Sequence, residues 1–433
     1  MKFNLSSGKP RTHEGAVAPA LAPAVQLARS VMACMLWEDT FYEDGVSIAE
    51  RIKELTPLCA AEQVAELAVK AREEGKLRHA PLLLLRELAR HPARPKIAGT
   101  LARIIQRADE PAEFLALYWS EGKQPLSRQV KLGLGKAMQK FDAYQLAKYD
   151  RPGAVRLRDV LFMVHAKPKN EEQAASWKEL VAGTLSPPDT WEVALSNGAD
   201  KRETFTRLLR EKKLGYLALL RNLRNMMESG VAENLITDAL LQGAERGQAL
   251  PFRFIAAARA VPSLEPILDE AMQQATKNLE RLPGKTAVIV DVSGSMEVRL
   301  AKKSDLTRMD AAAALAVLLV AVAEQSRVFT FSDKLVEVPS RQGMALVDAI
   351  HFSQAHGITL LGKALAALPG SYDRVVVVTD EQSADAIPTP SGKGYMINVA
   401  SYKNGIGYGQ WTHVDGFSES VAQYIQAQCC LNE

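Results

Sequence analysis

Between about residues 17 and 282, apolar residues recur at three- and four-residue spacing, broken by short Gly, Pro or Asn interruptions. That period is the mark of amphipathic helices packed on one face. Helices are predicted over Ala61–Glu74, Leu82–Arg90, Pro95–Arg107, Ala112–Trp119, Gln129–Phe141, Lys201–Arg210, Tyr216–Met227 and Val231–Leu241. Period-two alternation is almost missing. Many short helices with short links predict stacked helix pairs, as in HEAT-like solenoids, although no repeated motif marks the period.

At Leu282-Pro283-Gly284-Lys285 the pattern changes. Thr286–Val290 is a short apolar run of the kind that forms a buried parallel strand. A helix is expected over about Arg308–Gln325. Strands Arg327–Phe331 and Leu335–Val338, helices Ala345–Ile350 and Leu361–Leu368, strands Arg374–Thr379 and Tyr395–Ala400, and a last helix near Glu419–Ala427 follow. Alternating strands and helices predict an open, mostly parallel α/β sheet with its ligands at the carboxyl ends of the strands. Two domains are expected: a helical one over 1–283 and an α/β one over 284–433.

Composition narrows the classes. Apolar residues make up 47% and charged residues 24%, the mix of a soluble globular chain. The four cysteines (Cys34, Cys59, Cys429, Cys430) form no C-x-x-C pair, which argues against a thiolate zinc site and for a reducing compartment. Met1–Gly15 is polar, so no secretory leader is expected. The longest apolar run, Ala311–Ala323, falls short of the ~20 residues a membrane span needs and predicts a buried core helix. A cytoplasmic protein with no membrane partner is expected.

The chemistry concentrates after the first predicted strand, in Asp291-Val292-Ser293-Gly294-Ser295. One carboxylate and two hydroxyls at alternate positions offer hard oxygens for Mg²⁺, with Mn²⁺ or Ca²⁺ as alternatives. Gly294 is expected to let the backbone turn tightly. Thr359, before a predicted helix, and Asp380, after a later strand, fall on the same sheet edge. Asp291, Ser293, Ser295, Thr359 and Asp380 in this order resemble the metal-ion-dependent adhesion site of von Willebrand A domains. That resemblance implies a coordination position left open for an acidic group of a partner.

Enzyme signatures fail. Ser293 occupies the place where a D-x-D phosphotransferase needs a second carboxylate, and neither G-x-S-x-G nor H-E-x-x-H occurs. Gly284-Lys285-Thr286 imitates the end of a P-loop, but Leu279 stands where its first glycine belongs. A two-metal nuclease would have only Asp291 and Asp380 as carboxylates, a poor set. No catalytic residue is assigned, and the chain is expected not to be an enzyme.

Net charge of +3 hides an asymmetry. Residues 286–433 carry 11 basic and 15 acidic side chains, while Lys123–Lys169 alone carries 11 basic and 3 acidic. Such a stripe attracts polyanions. On an ideal helix Val130, Leu134, Met138 and Phe141 form the apolar stripe, with Arg128, Lys131, Lys136 and Lys140 on the other side. Lys148 and Arg151 extend the charge, and Lys213 and Arg221 lie in a second basic cluster. These eight are the candidate RNA contacts. Asn222 and Asn225, beside Arg221 and Arg224, read equally well as inter-repeat hydrogen-bonding groups.

Several stretches together resemble the TROVE family, and within it the Ro ribonucleoproteins: Leu36–Gly45, Leu146–Arg151, Leu217–Asn225, Asp291–Met296, Thr379–Ser383 and Tyr402–Gly409. The resemblance implies a ring of HEAT-like repeats joined to a von Willebrand A-like domain. It further implies binding of Y RNAs and of single-stranded 3′ ends of misfolded noncoding RNAs by a monomer, and in bacteria a tethered exoribonuclease. RNA quality control or scaffolding of RNA decay, without chemistry of its own, is the expected role. The competing expectation is a metal-dependent protein-interaction module that binds no specific RNA.

Overall fold

In the computed structural model, residues 9–32, 44–245, 249–301, 304–400, 402–417 and 421–430 are described. Most of the Leu36–Gly45 stretch therefore lies outside the described residues. The chain forms two compact units. One comprises 23–31 and 49–199; the other comprises the described residues of 1–22, 32–48 and 200–433.

The first unit is helical. It holds all or most of α1 (Pro23–Met32), α2 (Gly45–Leu55), α3 (Ala61–Glu73), α4 (His79–Arg90), α5 (Ala98–Ile104), α6 (Glu110–Tyr118), α7 (Arg128–Met138), α8 (Ala143–Tyr149), α9 (Leu157–Val164), α10 (Glu171–Ala182) and α11 (Trp191–Ser196). The three- and four-residue spacing becomes burial: α3 covers Ala61, Val64, Ala68 and Ala71, and α7 covers Val130, Leu134, Ala137 and Met138. Helix α3 packs on α4 and α5, α4 on α6, α5 on α7, and α7 on α9. Contact with the next helix and the next but one is the arrangement of stacked helix pairs. Helix α5 stops short of the predicted Arg107. The N–H groups of Gln106 and Arg107 instead donate to Glu110 Oε2, at 2.8 and 3.0 Å. Glu110 is itself buried against Arg72, whose Nη2 lies 2.6 Å from Oε1.

The second unit begins with five helices of the same kind: α12 (Lys201–Arg210), α13 (Tyr216–Glu228), α14 (Glu233–Ala244), α15 (Pro251–Ala260) and α16 (Glu265–Thr276). The α/β part follows as β1 (Leu282–Asp291), α17 (Arg308–Val322), β2 (Ala323–Phe331), β3 (Leu335–Val338), α18 (Gly343–His351), α19 (Leu361–Ala366), β4 (Arg374–Thr379), β5 (Lys393–Asn398), β6 (Thr412–Asp415) and α20 (Val421–Cys430). The six strands run in the order β3-β2-β1-β4-β5-β6, all parallel except the β2–β3 pair. Strand β6 was not predicted. Its four residues are all half-buried, so it carries no alternation to read.

Chain order reverses between β1 and β4, and there the sheet opens a crevice at its carboxyl edge. All six residues of β4 and the last six of β1 are buried. One face (Ala287, Ile289, Val375, Val377) packs on Leu361 and Ala364 of α19. Helix α17 lies against β1 and β2 and is itself in contact with α15, α16 and α18. Almost every α17 residue is buried, so the apolar run over Ala311–Ala323 is a core helix. It starts at a reciprocal cap in which Asp310 N donates to Thr307 Oγ1 and Thr307 N to Asp310 Oδ2.

Candidate metal centre and nucleic-acid interface

Pairing of Val290 with Val378 brings the ends of β1 and β4 to one level. Asp291, the last residue of β1, is fully buried. Its Oδ1 accepts from Ser293 N at 2.9 Å and its Oδ2 from Thr379 Oγ1 at 2.6 Å. Asp380, directly after β4, is equally buried. Its Oδ1 accepts from Gln382 N at 3.2 Å, and its Oδ2 accepts from Ser295 Oγ at 2.5 Å. Ser293 Oγ and Ser295 Oγ lie 3.3 Å apart. Two carboxylates and two hydroxyls from strands distant in sequence thus meet in one crevice.

Thr359 sits on the loop that reaches this edge, where Gly294 N donates to Gly357 O at 3.3 Å. Thr359 is fully buried, and its Oγ1 has no hydrogen-bond partner. An orphaned buried hydroxyl costs about 1–3 kcal/mol, and coordination of a cation by its oxygen lone pair would offset that cost. Burial, then repulsion from Asp380, pushes the Asp291 carboxyl well above its usual range, while Ser293 and Thr379 oppose the shift. Two buried carboxylates with three hydroxyls are what a hard divalent ion needs, and such an ion reverses the local electrostatics that raise Asp291. Among the described residues no three Asp, Glu, His or Cys side chains form a ready cage. The donor set is rich in hydroxyl instead.

Gly294 does not play the part expected of it. It heads a 3-10 turn, Gly294–Glu297, with an ordinary backbone angle, and a Cβ there would sit 3.4 Å from His356 O. The turn comes from the 3-10 geometry, not from a glycine-only conformation. Three neighbours escaped sequence reasoning. Thr379 holds Asp291. Buried Arg308 places Nη1 3.8 Å from Asp380 Oδ2. Glu14, far away in sequence, accepts from Thr359 N at 3.3 Å. Only the last had no local signal at all.

Beside the crevice lies a second buried ionic group. His413 Nε2 contacts Glu381 Oε1, its Nδ1 lies 3.4 Å from Asp415 Oδ2, and its ring stacks on Tyr408 at 4.0 Å. Burial disfavours the imidazolium, but Glu381 and Asp415 outweigh it and push the His413 pKa up to about 10.

Two models of known families match this architecture: the TROVE domain over residues 166–317 and the Ro60 vWA domain over residues 285–389. The chain belongs to the TROVE-domain Ro family. Its fold is also that of a crystal structure of the Deinococcus radiodurans RO (RSR) protein, at a TM-score of 0.62 and 17% identity, covering 93% of this chain and 100% of that one. In this Ro-family chain the two matched stretches overlap on β1 and α17, where the helical and sheet parts meet within one compact unit. No described helix is long and apolar enough to cross a membrane.

The basic candidates divide between the units. Arg128, Lys136 and Arg151 are exposed in the first unit, and Lys131 is half-buried on α7. Lys140 is engaged: its Nζ donates to Ala102 O at 2.6 Å and also to Ile105 O, capping α5, and burial lowers its pKa. The residue is exposed all the same, with its ammonium group turned onto the end of α5. Lys148 lies 3.5 Å from Glu192 and 5.8 Å from the Tyr149 ring centre. Tyr144 is exposed. Lys213 and Arg221 are exposed in the second unit, Lys213 2.8 Å from Glu211. Asn222 is buried and donates to Ala218 O at 2.8 Å, and Asn225 donates to Asn222 Oδ1 at 3.2 Å. These asparagines serve their own helix.

Proposed function

We propose that this Ro-family protein is a non-catalytic RNA-binding protein that takes Y RNAs and the single-stranded ends of misfolded noncoding RNAs. It would act in RNA quality control or as a scaffold for an exoribonuclease. The observation that carries this reading is the run of exposed basic side chains (Arg128, Lys136, Arg151, Arg158, Lys167 and Lys169) in a helical unit of a TROVE-family chain. Side chains of this kind track phosphates whatever the sequence, and the exposed Tyr144 ring offers a stacking surface beside them. We also propose that Asp291, Ser293, Ser295, Thr359 and Asp380 hold a divalent ion, Mg²⁺ first among the candidates. The ion supplies a fixed positive charge and an organising point for three loops. The chain's own groups orient each other around it, Thr379 and the Ser293 N–H aiming Asp291, and Ser295 aiming Asp380.

A gel-shift salt series tests the RNA reading, with a structured RNA that carries a single-stranded 3′ tail and the same RNA without it. The expected result is salt-sensitive binding that prefers the tail. Arg128→Glu with Lys136→Glu should weaken it, the slope of log affinity against log salt becoming shallower by about 1.4 for two lost single-strand contacts. Lys140 is left unchanged because its replacement would disturb α5. Absence of binding to either probe at moderate salt overturns the reading. A metal-dependent protein-interaction module would then be the better account, since the metal crevice lies at the sheet's ligand edge.

A further inference from the structure

The N-terminal segment is built into the metal crevice. Residues 10–18 form a closed hairpin: Arg11 bridges Val17, Ala18 N donates to Pro10 O at 2.8 Å, and Thr12 N donates to Ala16 O at 2.9 Å. Gly15, with φ of 100°, makes the tip. Thr12, Ala16 and Ala18 are buried, so the hairpin is packed and not merely draped. Its anchors are the loops that carry the metal candidates. Thr12 Oγ1 donates to Ser383 O at 2.7 Å, and His13 N donates to Gln382 Oε1 at 2.6 Å. Asn404 Nδ2 donates to Arg11 O at 2.9 Å. Gln382 also donates its own N–H to Asp380, and Ser383 Oγ donates to Thr359 O at 3.2 Å.

This scaffold delivers one carboxylate. Glu14, at the hairpin tip, accepts from the main-chain N–H of Thr359 at 3.3 Å and is close enough to Asp380 to feel its charge. Thr359 and the His13 side chain favour the Glu14 carboxylate in this position, while burial and the charge of Asp380 oppose it. A divalent ion would turn that balance in favour of the carboxylate. Asp291, Ser293, Ser295, Thr359 and Asp380 offer five oxygens, whereas Mg²⁺ demands six ligands and Ca²⁺ takes six to eight. The donors still needed come from water or from a further side chain, and Glu14 is the carboxylate that the hairpin brings to Thr359.

We infer that Glu14 is a built-in acidic ligand of the metal site, its carboxylate moving from Thr359 N–H to the outward coordination position when a divalent ion binds. The inference rests on the metal reading proposed above. Ion binding then clasps the hairpin of residues 10–18 onto the Thr359 and Asp380 loops. An acidic partner that sought the same position would have to displace Glu14 and so release the hairpin.

The test uses the full chain, with Mn²⁺ as the probe. Titration calorimetry and amide hydrogen exchange of residues 10–18 are followed in the wild type, Glu14→Gln and Asp291→Asn. Mn²⁺ should slow exchange across residues 10–18 in the wild type and leave it unaltered in Glu14→Gln. The Glu14→Gln chain should still bind Mn²⁺, with affinity lower by about 10-fold, the loss typical of a supporting carboxylate. Asp291→Asn should lose both signals. If Glu14→Gln keeps either the wild-type affinity or the Mn²⁺-dependent protection, the inference is overturned and the metal site stands. If the wild type takes up no Mn²⁺ in the calorimeter, the metal reading itself falls and the inference falls with it.

Discussion

Asp291 is fully buried, and most of its immediate partners are neutral hydrogen-bond donors. Its ionised form therefore strains the metal-free fold. Because its folded pKa is raised, the stabilising contribution of the protonated form is complete below the unfolded value near 3.9 and is lost as pH rises through the folded pKa. Without metal, Asp291→Asn should melt higher than the wild type at pH 8, by roughly 2–4 °C for each kcal/mol relieved. It should also gain nothing from added Mg²⁺, which should raise the wild-type melting temperature. Proton and metal compete for the same carboxylates, so wild-type affinity measured by titration calorimetry should fall as pH is lowered from 8 to 6. His413 acts in the same sense over a higher range, because its folded pKa is also raised. Its contribution is present below about 6.5 and disappears as pH rises towards 10. His413→Gln leaves Glu381 buried without its partner and should cost about 3–5 kcal/mol at pH 7. Urea melts should show that cost shrinking towards pH 10. At this scale the legible part was Asp291-x-Ser-x-Ser, because alternate residues of one loop share a side. Thr379 and Arg308 could not be read, since pleating and helix position decide what they touch.

Among the elements, helix existence was plain from apolar spacing, while the ends were set by contacts that spacing does not encode. The Glu110 carboxylate that draws off Gln106 and Arg107 is one such contact. Close approach between neighbouring helices is another. Gly243 in α14 faces Tyr216 of α13 so tightly that a Cβ would come within 2.1 Å of the ring. The ring cannot retreat, because the Tyr216 hydroxyl donates to Leu240 O at 2.9 Å in the interior. Gly243→Ala gains helix propensity of up to about 1 kcal/mol, but the clash should cost more, for a net loss on the order of 1–3 kcal/mol in chemical denaturation. In the sheet, the apolar runs Ala287–Val290 of β1 and Val375–Val378 of β4 announced themselves, whereas four-residue β6 carried no period to find.

On the whole-molecule scale, charge is partitioned. Residues 286–433 hold 11 basic and 15 acidic side chains, against 42 and 35 over residues 1–285. A polyanion should meet the helical part of the chain first. Fluorescence anisotropy with a labelled single-stranded RNA should show affinity dropping steeply between 50 and 200 mM salt, and variants of the proposed metal site such as Asp380→Asn should leave the salt slope unchanged. The change from helices to strands at Leu282 was legible from the change of period. The packing of α12–α16 into one compact unit with the sheet was not, because a helix's apolar stripe does not say which neighbour covers it.

The outermost strands of the sheet, Leu335–Val338 and Thr412–Asp415, are four residues long. Short edges give an incoming extended chain little to pair with, which protects against edge-to-edge aggregation and closes the route of strand augmentation. A protein that recognises this domain by backbone pairing would find almost no purchase. Recognition is channelled to the loops at the carboxyl edge, where the specificity of the domain can change by substituting loop residues while the sheet stays as it is.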